Sequence, residues 1–257
     1  MVDHTGVHCM PELYSTQEEA DTRMVLHAIH LSQNHNTIIV KSDDTDVLVL
    51  LIYYASQQLL ETASISMHAG HGDRQRYIPV SAILEKLGVA LCESLPACHA
   101  LTGCDTTSSL FRIGKTTAFN KLEKHVNDLQ GLRTFGLTDC LPEAVVCARQ
   151  YALILYGVKN KAKSQPCSSL DKLRCILAST TDMPVSQLPP TEDAFEQHVQ
   201  WAMYQNAVWC HSHVPRPLLW NPVGKSWMLK EDTSLQPVLF KKEPAPKVVR
   251  PHPPLLQ

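Results

Sequence analysis

The feature that most restricts this fold is a β-branched run, Thr37-Ile38-Ile39-Val40, that stops abruptly in Lys41-Ser42-Asp43-Asp44-Thr45-Asp46. A short apolar run of this kind, bounded by polar residues, reads as a buried strand of a parallel sheet and predicts an α/β fold. In open α/β sheets ligands bind in the crevice beyond the carboxyl ends of the strands. Asp44 and Asp46 should therefore emerge where a ligand would sit, as oxygen donors suited to a hard cation such as Mg²⁺.

Carboxylates recur on either side of this run. Upstream, residues 18–34 have helical character, with Ala20, Met24, Leu26, Ala28, Ile29 and Leu31 on a broad apolar face and Thr16 available as a cap. Glu18, Glu19 and Asp21 then fall in the first helical turn, where negative charge suits the helix dipole. Downstream, residues 91–101 read as a second apolar helix, broken at Gly103 and followed by Asp105. The expectation is that Glu19-Ala20-Asp21, Asp44-Thr45-Asp46 and Gly103-Cys104-Asp105 meet in space.

In their order and rough spacing these clusters resemble the C-terminal half of a flap-endonuclease or XPG-type PIN domain, over residues 16–126. In that family a Glu-x-Glu helix, an Asp-x-Asp after a strand and a Gly-x-Asp before a DNA-binding hairpin hold two Mg²⁺ ions. The resemblance implies that Glu19, Asp21, Asp44, Asp46 and Asp105 are metal ligands for Mg²⁺ or Mn²⁺, with Asp44, Asp46 and Asp105 as the principal catalytic carboxylates. It also implies phosphodiester hydrolysis in DNA or RNA. The segment Ser108 to Ala118 resembles the family's helix-two-turn-helix, opening a helix that runs to about His125. Backbone amides at Gly114, with Lys115, Lys121 and Lys124, would then hold a phosphate. Arg112 stands where the family has its first glycine.

The motifs Glu18-Glu19-Ala20-Asp21-Thr22-Arg23, Asp44 to Leu50 and His99 to Ser108 also resemble animal open reading frames associated with mobile elements. One departure from the PIN pattern is that residues 1–17 supply no first strand with its own Asp. On this reading the sheet is incomplete and the chain is a fragment or a degenerate copy. A catalytically dead module that binds nucleic acid or a protein partner is therefore the alternative. A second alternative is a haloacid-dehalogenase-like phosphatase with Asp44 as nucleophile, although Ser42-Asp43 interrupts the apolar lead-in and no distal Lys with an acidic pair follows.

Composition narrows the remainder. A 257-residue chain that is 44% hydrophobic suffices for one sizeable core or two small ones, and a net charge of −2 excludes a general polyanion binder. Lys159, Lys161 and Lys163 form one local basic group, read as a solvated loop. Nine cysteines form no regular pairing pattern, and the start lacks the basic and apolar stretches of a signal peptide. Both point to an intracellular protein, nuclear or cytoplasmic. The apolar run Val47 to Leu51 is too short for a membrane span.

The expected organisation is an irregular N-terminus (1–15), the PIN-like unit (16–126), a helical extension (127–213) and a Pro-rich tail (214–257). Within the extension, Pro142 to Tyr156 and Leu170 to Ala178 read as packing helices. A helix over Thr191–Trp209 carries Phe195, Val199, Ala202, Met203, Asn206 and Ala207 on one side. Twelve of the 17 prolines lie from Pro184 onward, so compact sheet is not expected there. Residues 241–257, with Lys241, Lys242, Lys247 and Arg250, read as a disordered basic tail. Gly114-Lys115-Thr116 copies the end of a P-loop, but Ser109 occupies the place of its required glycine. Cys210-His211-Ser212-His213 lacks a second ligand pair for zinc. Cys92, Cys98, Cys104 and His99 are read as packing.

Overall fold

Along the β-branched run burial alternates: Ile38 and Val40 are buried, whereas Thr37, Ile39 and Lys41 are exposed. The strand is thus half-buried, not enclosed on both faces as expected, because this sheet has one face in the core and the other toward solvent. A computed structural model describes residues 2–3, 5–60, 64–157, 167–239 and 241. The Lys159, Lys161 and Lys163 group and the tail cations Lys242, Lys247 and Arg250 lie outside the described residues.

The described elements begin with a two-residue antiparallel ladder, β1 (Val2–Asp3) with β2 (Gly6–Val7), in the stretch expected to be irregular. There follow α1 (Ala20–Ser32), β3 (Thr37–Lys41), α2 (Thr45–Ser56), β4 (Ser64–Ala69), β5 (Arg76–Pro79), α3 (Val80–Leu87) and α4 (Val89–Leu101). Further on lie α5 (Lys115–His125), α6 (Leu141–Tyr156), α7 (Leu170–Thr180), α8 (Glu192–Cys210), β6 (Trp227–Leu229) and β7 (Leu235–Pro237). The main sheet has the order β3-β4-β5. Strands β3 and β4 are parallel, joined through α2, and β5 runs antiparallel to β4, so the sheet is mixed, not purely parallel.

Helix α2 is apolar nearly all round: Val47, Leu50, Leu51, Ile52, Tyr53 and Tyr54 are buried, which makes it a central helix instead of a surface one. Helix α4 is buried from Leu91 to Leu101 apart from Glu93, and it packs between α2 and α8. The face expected on α8, from Phe195 to Ala207, is buried as anticipated, and it docks on α4. One cluster of buried apolar residues runs from Val25 to Cys210, so the boundary expected near residue 126 does not divide the core.

The Pro-rich region is more ordered than its composition suggests. Strands β6 and β7 pair as a hairpin, and Trp201 on α8 donates Nε1–H to the Ser226 carbonyl at 3.1 Å. The Trp201 and Trp227 rings lie 6.3 Å apart. This packing supplies the apolar support that an isolated hairpin lacks in water. All nine cysteines are free, and no helix among the described residues is long and apolar enough to cross a membrane.

Between α4 and the Asp105 turn the backbone needs glycine. Gly103 has φ +99, and a Cβ there would lie 2.7 Å from the Ser109 Cα. Gly103→Ala is expected to cost about 2–3 kcal/mol, from left-handed strain and a forced shift of the next segment. Urea denaturation of the variant measures this directly.

Candidate metal centre

Two helix N-termini deliver the first carboxylates. Glu19 is the N-cap of α1 and Asp21 lies in its first turn; no side chain caps this helix, so the role expected of Thr16 falls away. The Thr16 amide instead bonds the Pro215 carbonyl at 3.1 Å, and Gln17 Nε2 donates to the carbonyls of Ser212 at 3.0 Å and Val214 at 2.6 Å. The lead-in to α1 is thereby tied to the chain just beyond α8.

At the end of β3, the Ser42–Asp46 segment sorts its acids. Asp43 turns toward the β4 end, accepting the Gly70 amide at 2.5 Å and approaching His71 Nδ1 at 3.1 Å. Asp44 caps α2, its Oδ1 accepting the Asp46 amide at 2.9 Å. Carboxylate oxygens of Asp21, Asp44 and Asp46 then lie within 4.8 Å of one another. Asp105 sits exposed in the Cys104–Thr107 turn, close enough for its charge to act on both Glu19 and Asp21.

This arrangement strains the metal-free charges. Burial, followed by the fields of Asp44, Asp46, Glu19 and Asp105, pushes the Asp21 carboxyl up to about 6 from an ordinary 3.8. Burial also raises Glu19, with Asp46 and Asp105 adding to the rise, while hydrogen bonds from Gln205 and Trp209 oppose it. Among the described residues no Lys or Arg forms an ion pair with Asp21, Asp44 or Asp46. The donor set is all carboxylate oxygen, the chemistry of hard divalent cations, so the residues fit Mg²⁺ or Mn²⁺.

A raised acid pKa means that the folded state holds its proton more tightly than the unfolded one. Asp21 therefore costs no stability below about pH 4, and the cost grows until the carboxyl is fully ionised above about pH 6. Metal-free Asp21→Asn is accordingly expected to melt higher than wild type at pH 7.5, with the difference vanishing below pH 4. Thermal melts across this range in chelator check it.

The centre includes partners that sequence reasoning missed. His99 Nε2 lies 2.6 Å from Asp46 Oδ1, and because an ionised carboxylate only accepts, this nitrogen is the donor. Gln205 on α8 donates Nε2 to both Glu19 oxygens at 2.9 and 3.2 Å, and its Oε1 accepts from Thr106 Oγ1 at 2.7 Å. Trp209 donates Nε1–H to Glu19 at 3.2 Å, and its ring lies 5.7 Å from His99. One helix thus holds both the α1 cap and the residue that follows Asp105.

The expected phosphate grip is built differently. Gly114 is the N-cap of α5 and no side chain caps this helix, but Lys115 turns its ammonium back to the carbonyls of His99 at 2.8 Å and of Gly103, and to Thr102 Oγ1 at 3.1 Å. It caps the C-terminal end of α4, where positive charge is favoured. Lys121 is half-buried and Lys124 exposed. Arg112, in the place of the family's glycine, has φ +60, a backbone conformation that glycine adopts at least cost.

Other tempting groups resolve into packing. Cys92, Cys98 and Cys210 are buried thiols. His211 Nδ1 bonds the Ala207 carbonyl at 2.7 Å and His213 approaches Tyr54 Oη at 3.4 Å, so these histidines serve the α8 terminus. No protein-family model matches this chain, and neither a curated protein nor a solved structure matches it.

Proposed function

We propose that the Asp21–Asp44–Asp46 cluster, with Glu19 and Asp105 beside it, is a Mg²⁺ or Mn²⁺ centre and that the chain hydrolyses phosphodiester bonds of DNA or RNA as an incomplete PIN-like nuclease. The observation that supports this reading is the convergence of the Asp21, Asp44 and Asp46 carboxylate oxygens within 4.8 Å of one another, beside the carboxyl end of β3. A bound divalent cation supplies Lewis acidity to the phosphate and lowers the pKa of water.

The chain's own residues prepare the place. Asp21, Asp44 and Asp46 offer the inner oxygens, and His99 fixes one oxygen of Asp46 through its 2.6 Å bond. Gln205 and Trp209 orient Glu19 from α8, so its carboxylate does not rotate freely. The half-buried positions of Asp21 and Asp46 limit competing water, which strengthens their attraction for a cation. Nine free thiols agree with a reducing intracellular compartment, nuclear or cytoplasmic.

The test is cleavage of labelled flap, hairpin and linear substrates, as DNA and RNA, with Mg²⁺ or Mn²⁺. Cleavage that stops with EDTA and in Asp46→Asn supports the proposal. Binding of the substrates without cleavage would favour the non-catalytic module.

A further inference from the structure

Beside the carboxylates lies a cleft of about 730 Å³, walled by the lead-in to α1, by α8 and by the C-terminal hairpin. Its lining includes Gln17, Glu19, Thr106, Tyr204, Gln205 and Trp227. Glu19 belongs to both the cleft and the metal centre, and Thr106 follows Asp105 directly. The cleft therefore opens onto the chemistry proposed above.

Its walls carry aromatic faces. Tyr204 and Trp227 are both half-buried. Trp201 braces Trp227, and Trp220 stands edge-on to Tyr204 at 6.1 Å.

From these features we infer that the cleft receives an unstacked base of a single-stranded nucleic acid, setting the adjoining phosphodiester at the carboxylates. The inference rests on the metal-dependent nuclease reading. A volume of this size suits a small planar ligand. The carboxylates of Glu18 and Glu19 in its wall repel bare phosphate, so what enters is the neutral base, and the backbone charge is met at the metal centre instead. Aromatic side chains stack on any base, which gives affinity without sequence preference. In a duplex both faces of each base are already covered, and opening it costs unstacking energy. The cleft thus selects unpaired strand over duplex.

The experiment is fluorescence anisotropy in Ca²⁺, using the full chain with a labelled oligothymidylate, alone and annealed to its complement. Single strand is expected to bind about 10-fold tighter than duplex, and Trp227→Ala and Tyr204→Ala each to weaken the single-strand complex about 10-fold. Duplex affinity and Mn²⁺ uptake, titrated without oligonucleotide, should be unchanged in both variants. If Trp227→Ala fails to fold by circular dichroism, Tyr204→Ala decides the outcome. Equal affinity for the two forms, or an aromatic variant that binds single strand as wild type does, overturns the cleft assignment. A wild-type chain that takes up no Mn²⁺ overturns the metal centre itself, and the two failures are thereby told apart.

Discussion

Asp46→Asn is expected to lower metal-dependent cleavage by about 100-fold or more, the usual scale for losing one preorganised charge contact at a reacting phosphate. Asp46 is the junction of the centre: it shares the three-carboxylate cluster, receives His99 at 2.6 Å and adds its field to Glu19 and Asp21. Asparagine keeps the size but removes the charge and one acceptor. With less negative charge around Glu19 and Asp21, the metal-free variant should melt higher than wild type at neutral pH while its activity falls. Opposite movements of stability and activity separate a lost ligand from a damaged fold. Single-turnover cleavage assays and melts in EDTA, run side by side, measure both.

Trp209→Ala is expected to destabilise the protein by about 3–5 kcal/mol, as large-to-small changes of buried aromatics do. The Trp209 side chain is 1% exposed, and its carbonyl accepts the Tyr54 hydroxyl at 2.9 Å, so this end of α8 is locked to α2. Trp209→Phe retains much of the packing but leaves Glu19 without its indole donor. That variant should fold with a smaller loss, about 1–2 kcal/mol, and bind Mn²⁺ more weakly, because Glu19 is less firmly oriented. Equal Mn²⁺ affinity of Trp209→Phe and wild type would leave the indole with a packing role alone. Urea denaturation and calorimetry check the two effects independently.

The legible parts of this fold were those with a strong local signal. The apolar spacing of α1, α4 and α8 predicted helices near their observed bounds, and the α8 face was right because each buried position recurs at helical spacing. The strand β3 was visible from its branching, but whether both its faces are covered depends on elements remote in sequence. Ser64–Ala69 carries serines and a histidine between its buried residues, too weak a pattern to announce β4. The β6–β7 hairpin was hidden by the prolines around it, and its support from Trp201 is a tertiary contact.

The same division applies to the site. The placement of Asp21, Asp44 and Asp46 was legible because helix starts and a strand end fix where they emerge, whereas Asp105, expected as a principal partner of Asp44 and Asp46, lies outside their 4.8 Å group in an exposed turn. His99, Gln205 and Trp209 were not legible, since their partners lie far away in sequence. A signal did exist: His99 interrupts an otherwise apolar helix, and Gln205 lies between buried Met203 and Ala207. Buried polar side chains need partners, so such residues mark where a helix meets something other than hydrocarbon. Lys115 shows the converse, since its charge suggested phosphate while its ammonium closes the end of α4.

Isothermal calorimetry of Mn²⁺ binding to wild type and to the Asp44→Asn, Asp46→Asn double variant tests whether these carboxylates hold a divalent cation. Saturable uptake is expected for wild type, tighter as pH rises past about 6 where Asp21 ionises, with no measurable uptake by the double variant. Equal binding by the two proteins would remove the metal centre.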